Sequence, residues 1–333
     1  ETIEKIYKQL TPESSREFAY FSANLQHICG IPFGETHLRH YHQLKQYFTE
    51  QAALDLRCGL TAGTTNQRLK HAIDQRPSLF VSFHYGSYRT LPLKILAQGR
   101  SICVLLSQDV YDIYADYYRK LLDIPRVHGE SRACLHLLKA EDPTLFFKLR
   151  EMVANDISIF VYADGAKGTL SLPSERGLQR VKLLNATMPV RTGYLDFSYL
   201  LGIAAYVLID LESDPAHAKE GESALFCYKL PPRKNRKNFV ADSSVEIYGA
   251  FGKILDKRPF FWEALLYLHR TSVPVSEPFD QEAEDRIIPF LWKQGRYILD
   301  RYTYRSFRID NGNPPKDSGF FSNVRFFCLI LTS

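Results

Sequence analysis

Phe80-Val81-Ser82-Phe83-His84-Tyr85-Gly86-Ser87-Tyr88-Arg89 decides the fold. From Ser78 to Phe83 the run is short, nearly continuous in apolar character and bounded by turn residues, as a strand buried on both faces should be. His84 then stands at its carboxyl end, and Gly86 turns the chain into a helix through Tyr88–Ala97. In open α/β sheets ligands bind outside the carboxyl ends of the strands, so a histidine there is a candidate general base. Taken alone it is equally well a core histidine bonded to backbone.

Outward from this stretch, strand and helix alternate. Ile102–Leu106 reads as a second strand, Val110 to Asp123 as a long helix, 131–154 as a helix or helix pair broken near Pro143, and Ile157–Tyr162 as a third strand. Beyond lie a short strand Arg180–Leu184, a helix Thr192–Leu201, a strongly apolar strand Ala204–Leu211 and a strand Ala224–Lys229 expected to pair antiparallel beside it. Helices are predicted at Val245–Lys257 and Phe260–His269. The fold class is therefore α/β, a mostly parallel sheet flanked by helices. Residues 1–76 form an N-terminal helical layer, 77–272 the α/β core and 273–333 a partly helical extension, helical over Ala283–Tyr304 and looped over Arg308–Ser318.

Composition bounds the possibilities. The chain has 333 residues, 45% hydrophobic and 24% charged, which excludes disorder as the default. No run approaches the ~18 apolar residues of a membrane span, and the N-terminus carries no signal-peptide pattern. A cytoplasmic protein is expected, with peripheral contact at the inner membrane face as the further option. The net charge of +5 is dispersed and specifies no nucleic acid. Its one block, Arg233-Lys234-Asn235-Arg236-Lys237, reads first as a solvated loop and second as a docking patch for phosphate, anionic lipid or an acidic carrier. Six scattered cysteines without CxxC spacing read as reduced thiols. His37, His40 and His42 lack a carboxylate pair and read as an exposed helix face; no metal is implied.

Ile159-Phe160-Val161-Tyr162-Ala163-Asp164-Gly165-Ala166-Lys167-Gly168 repeats the first architecture, an apolar strand followed by an acid and glycines. Arg176, Arg180 and Lys182 follow. Two such strand ends facing one cleft would bring Asp164 to the substrate and a lysine to phosphate, while the plain alternative is an Asx-Gly turn. A third acid, Asp109, follows the strand Ile102–Leu106. There a helix cap from Ser107 or Asp109 is the simpler reading.

Phe83-His84-Tyr85-Gly86-Ser87 resembles the first motif of the late acyltransferases of lipid A biosynthesis and the related mannoside acyltransferases. Tyr162-Ala163-Asp164-Gly165 is similar to that family's later strand-end motif. The order of elements agrees through Lys182–Gly193, and Tyr267-Leu268-His269-Arg270 resembles its closing helix, so that the likeness spans about residues 70–272.

The resemblance implies a glycerol-3-phosphate/lipid A acyltransferase-like fold. It also implies transfer of an acyl group from an acyl-carrier-protein or coenzyme A thioester to a hydroxyl or amine. His84 would be the general base, since a neutral alcohol is a poor nucleophile, and backbone N–H groups of the Gly86 turn or the next helix would receive the oxyanion. Asp164 would shape the site, Gly86 would let backbone approach the thioester, and Tyr85, Ser87 and Tyr88 would offer hydroxyls. Lys167, Arg180 and Arg191 would contact phosphopantetheine or an anionic acceptor, and Arg89 and Gly165 join the substrate-binding residues. No cofactor is held; the thioester is a co-substrate, the partners are an acyl carrier protein and a small-molecule or lipid acceptor.

One departure stands out. The family shows His-x4-Asp/Glu, and position 89 here is Arg, which offers only donors. Asp109, Asp112 and Asp164 are the acids that could stand in. Without one, the alternative is a non-catalytic protein binding acyl carriers or acyl lipids. A hydrolase using the same cleft is weaker still, because no Gly-x-Ser-x-Gly elbow is present.

Overall fold

The computed structural model describes residues 10–60, 67–74, 77–122, 133–165, 178–211, 225–232, 234–270, 272–276, 286–293 and 295–309. Helix α1 (Pro12–Cys29) starts on a capping box: the Thr11 hydroxyl accepts from Ser14 N–H and the Ser14 hydroxyl from Thr11 N–H, with Pro12 in the turn that needs no donor. It stops at Gly30, in the left-handed region at φ 66°. Helices α2 (Glu35–Leu60) and α3 (Gln67–Asp74) follow.

The alternating part comprises β1 (Ser78–Ser82), a 3-10 turn at Tyr88–Thr90, α4 (Leu91–Ala97), β2 (Ile102–Leu106), α5 (Gln108–Leu122), β3 (Leu135–Lys139), α6 (Leu145–Ala154) and β4 (Ser158–Tyr162). Then come β5 (Leu178–Leu183), β6 (Ala186–Arg191), α7 (Gly193–Leu201), β7 (Ala204–Asp210), β8 (Leu225–Lys229) and α8 (Arg236–Leu255). Three 3-10 turns at Pro259–Phe261, Glu263–Leu266 and Leu268–Arg270 lead to β9 (Val275–Ser276), β10 (Ile287–Trp292), β11 (Gly295–Asp300) and β12 (Arg305–Arg308).

The central sheet runs β3-β2-β4-β1-β7-β8, parallel except for β8, which pairs antiparallel with β7. Two small antiparallel sheets, β5-β6-β9 and β10-β11-β12, accompany it. Because side chains alternate along a strand, each central strand feeds two cores. Leu79, Val81, Ile159, Val161 and Val207 join a cluster with Phe18 of α1, Leu195 of α7, Tyr248 of α8 and Ile288 of β10. Phe80, Phe160, Val104 and Leu208 join another with α4. On this second face the buried Lys94 of α4 pairs with the buried Asp210 of β7 at 3.1 Å.

This division places the site. Leaving β1, the chain crosses to β2 by way of α4 on one face; leaving β4, it reaches β7 by way of α7 on the other. The two connections part at the carboxyl ends of β1 and β4, which lie side by side in the register Leu79↔Ile159 to Ser82↔Tyr162. A parting of connections between adjacent parallel strands opens a crevice there.

Several sequence expectations are corrected. Residues 131–154 are not helical throughout: Leu135–Lys139 is an edge strand, held by a partner, β2, that a local pattern does not display. Ala283–Tyr304 contains the strands β10 and β11 instead of a helix, and Phe260–His269 is a series of 3-10 turns. The strand read at Arg180–Leu184 is one arm of a hairpin with β6. The helix read at Val245–Lys257 begins earlier, at Arg236, where the Asn235 side chain caps Lys237 and Asn238 N–H. His37 is not on an exposed face; it is fully buried, with Ser22 Oγ on Nδ1 and the Ile31 carbonyl on Nε2. The loop at Glu212–Ser223 and most of Arg308–Ser318 fall outside the described residues.

Candidate active site

His84 leaves β1 in the crevice and Asp164 arrives there two residues after β4. Asp164 Oδ1 lies 2.8 Å from His84 Nδ1, and both carboxylate oxygens accept from His84 N–H, at 3.2 and 3.0 Å. Trp262, fully buried, donates Nε1–H to Asp164 Oδ2 at 2.7 Å. The Asp164 side chain has no exposure, so these donors replace the water a buried carboxylate would otherwise miss. An imidazole whose Nδ1–H is given to a carboxylate carries its lone pair on Nε2. Nε2 has no hydrogen-bond partner among the described residues, and the side chain keeps 19% of its surface exposed.

Aromatic rings hold that imidazole. Tyr162 stacks on it at 4.6 Å, and Tyr88 meets it edge-on at 4.8 Å. Tyr162 donates its hydroxyl to the Tyr88 carbonyl, tying β4 to the turn after β1. Glu263 lies alongside: its N–H goes to the His84 carbonyl, and its Oε2 receives the Tyr88 hydroxyl at 2.6 Å and Arg89 at 3.5 Å. Arg89 also sits over the Tyr88 ring at 4.7 Å.

Burial lowers the affinity of His84 for a proton, but the attraction of Asp164, its hydrogen bond and the charge of Glu263 outweigh burial and the opposing Arg89 charge. The pKa ends above the ordinary 6.5. Burial, with Asp164 adding to it, raises Tyr194 and Tyr248, so both stay neutral phenols. Tyr248 donates to the Ala163 carbonyl, while the buried Tyr194 hydroxyl has no partner among the described residues.

Of the acids weighed to stand in for position 89, Asp164 is the one brought to His84. Asp109 lies exposed in the first turn of α5, and Asp112 pairs with Gln108 and Lys139. The turn residues serve structure in ways the sequence reading did not foresee. The Gly86 N–H, expected to face an oxyanion, is given to the Phe261 carbonyl, and Gly86 is required by its left-handed φ of 59°. Tyr85 is buried, bridges to Trp262 and gives its hydroxyl to the Arg258 carbonyl; Ser87 is fully buried. Gly86 and Tyr85 thus hold the turn to the segment after α8, the Tyr85 hydroxyl being spent on the Arg258 carbonyl. Gly165 follows Asp164 and is exposed. Lys167 and Arg176 lie outside the described residues. Arg180 is exposed on β5 and Arg191 ends β6; neither bonds to His84 or Asp164.

Trp262 and Glu263 were not foreseen as site residues. No motif marks them, and the one available signal was indirect: a guanidinium at position 89 next to a histidine asks for a carboxylate from elsewhere. Among the described residues no group of three or more His, Cys, Asp or Glu gathers as a metal site, and no helix is long and apolar enough to cross a membrane. No protein-family model matches the chain, and no curated protein matches it in sequence.

Proposed function

We propose that this protein transfers an acyl group from a carrier-protein or coenzyme A thioester to a hydroxyl or amine acceptor, with His84 as general base in a glycerol-3-phosphate/lipid A acyltransferase-like fold. The observation that carries the reading is the His84–Asp164 pair at 2.8 Å, with the carboxylate buried and Nε2 unengaged at the parting of two parallel strands. Asp164 fixes the ring and its tautomer and stabilises the imidazolium formed when Nε2 takes the acceptor's proton. No hydroxyl or thiol among the described residues bonds to Nε2, so the nucleophile is brought by the acceptor. That favours direct transfer over an acyl-enzyme.

The acceptor's oxygen or nitrogen attacks the thioester carbonyl, the C–S bond breaks, and the proton returns from Nε2 to the departing sulfur. Arg89, paired with Glu263 at 3.5 Å, is a further candidate for contacting the substrate beside His84. Arg180 and Arg191, with Lys167, are assigned to the anionic handle of the donor. The alternative of a non-catalytic carrier-binding protein leaned on the missing acid at position 89, and Asp164 now supplies a carboxylate to His84.

The test is intact-mass detection of acyl loss from acyl-carrier-protein and coenzyme A thioesters with pooled amine and hydroxyl acceptors, wild type against His84→Ala. Acyl loss with the wild type alone supports the reading. Carrier binding without acyl loss in both proteins sinks it in favour of a binding protein.

A further inference from the structure

Glu263 is the part of this site that general base catalysis does not use. Its Oε2 is occupied by Tyr88 and Arg89, but Oε1 has no partner among the described residues, and the side chain is 24% exposed. It is bound to His84 through the backbone, Glu263 N–H to the His84 carbonyl at 3.0 Å, so its position follows that of the base. The charges around the imidazole are two carboxylates, Asp164 and Glu263, against one guanidinium, Arg89. With His84 neutral, the described groups leave one net negative charge. The rings beside it are already engaged, Tyr88 by the Arg89 guanidinium over its face and Tyr162 by the stacked imidazole, so the open position for a cation is the Glu263 carboxylate itself. An open carboxylate oxygen next to a neutral imidazole suits an ammonium group and disfavours an anion.

We infer that the acceptor is an amine, bound as its ammonium form by Glu263 Oε1 next to His84, so that the product is an amide. This rests on the acyl-transfer reading. The bound ammonium first releases one proton to solvent. The amine nitrogen then attacks the thioester carbonyl, the C–N bond forms and the C–S bond breaks, and the second N–H proton passes through His84 Nε2 to the thiolate. Amide and free thiol leave. Glu263 has a defined task in this sequence: it concentrates the cation and holds its nitrogen against the base.

The experiment uses the full chain and two probes of like size, n-butylamine and 1-butanol, at pH 7. Binding is read from the His84 imidazole NMR signals, and acyl transfer to each probe from product mass. The expected result is saturable binding of the amine at least ten-fold tighter than the alcohol, reduced at least ten-fold in Glu263→Gln. Should that variant fail to fold, Arg89→Gln gives the opposite sign: removing the competing cation tightens amine binding, whereas a merely structural Arg89 would weaken it. Equal binding of alcohol and amine, or amine binding unmoved in both variants, overturns the assignment. Acyl transfer to hydroxyl acceptors alone overturns it while keeping the acyl-transfer reading. Carboxylate-dependent amine binding with no thioester consumed by any acceptor instead removes the acyl-transfer reading, and with it the acceptor role.

Discussion

Trp262 Nε1–H points at Asp164 Oδ2 across 2.7 Å, and neither side chain meets solvent. The carboxylate that orients His84 is thus itself oriented by an indole from a distant segment. Trp262→Phe removes one charged hydrogen bond, about 1.5–3 kcal/mol, and adds the cost of a cavity where the indole's second ring is buried. Urea unfolding should show a lower midpoint at unchanged slope. An unchanged midpoint would mean that Asp164 is satisfied without the indole.

Asp164→Asn leaves a side chain of the same shape without the charge. Acyl transfer should fall about 10²–10⁴-fold, as should that of His84→Ala, measured as kcat/KM. Near-wild-type transfer in Asp164→Asn would show that His84 needs no carboxylate.

The same pair sets a stability trend. The folded pKa of His84 lies above its unfolded value, so the attraction contributes fully below about pH 6.5 and is lost as pH rises through the folded pKa. The melting-temperature gap between wild type and Asp164→Asn should therefore be larger at pH 6 than at pH 9. A gap that widens with pH would contradict the sign.

Under the proposed acyl transfer, activity follows the opposite trend. A base must be neutral, so kcat/KM should rise with pH and level off above an inflection higher than 6.5. Glu263 raises and Arg89 lowers that inflection, so Glu263→Gln should move it down and Arg89→Gln up. Inflections identical in all three proteins would place both charges out of reach of the base.

His37 makes the fold acid-sensitive. Burial, followed by the Arg301 charge, lowers its pKa to about 3. Below pH 6.5 the unfolded chain takes up a proton that the folded one refuses, at about 1.4 kcal/mol per pH unit from this group. The pH dependence of chemical denaturation between pH 6.5 and 4 should flatten in His37→Gln. An equal slope would assign acid loss to other groups.

The sequence displayed β1, β2, β4 and β7 because strands buried on both faces must be apolar almost throughout, and that leaves a local trace. β3 left none: Leu135–Lys139 is half-exposed along its length and becomes a strand through pairing with β2. β10 carries Pro289, and its strand character comes from β11 opposite. For the site, His84 and Asp164 were each visible as polar residues at strand ends. Their partnership was not, because it depends on β4 lying beside β1 in the sheet, an order fixed by long-range packing. Trp262 and Glu263 were hidden inside an aromatic run that reads as an ordinary helix but folds as 3-10 turns against Tyr85.

The chain spreads this site along its length. Asp164 follows His84 by 80 residues, and Trp262 follows Asp164 by 98. At synthesis rates of about 5–20 residues per second, the histidine waits on the order of ten seconds or more for the indole that completes its carboxylate partner. Until then the Asp164 carboxylate lacks the indole donor on its Oδ2. Because Tyr248, Phe251 and Leu255 of α8 and Phe261, Trp262 and Leu265 of the turns also fill the main core, the same late segment completes both the packing and the surroundings of Asp164.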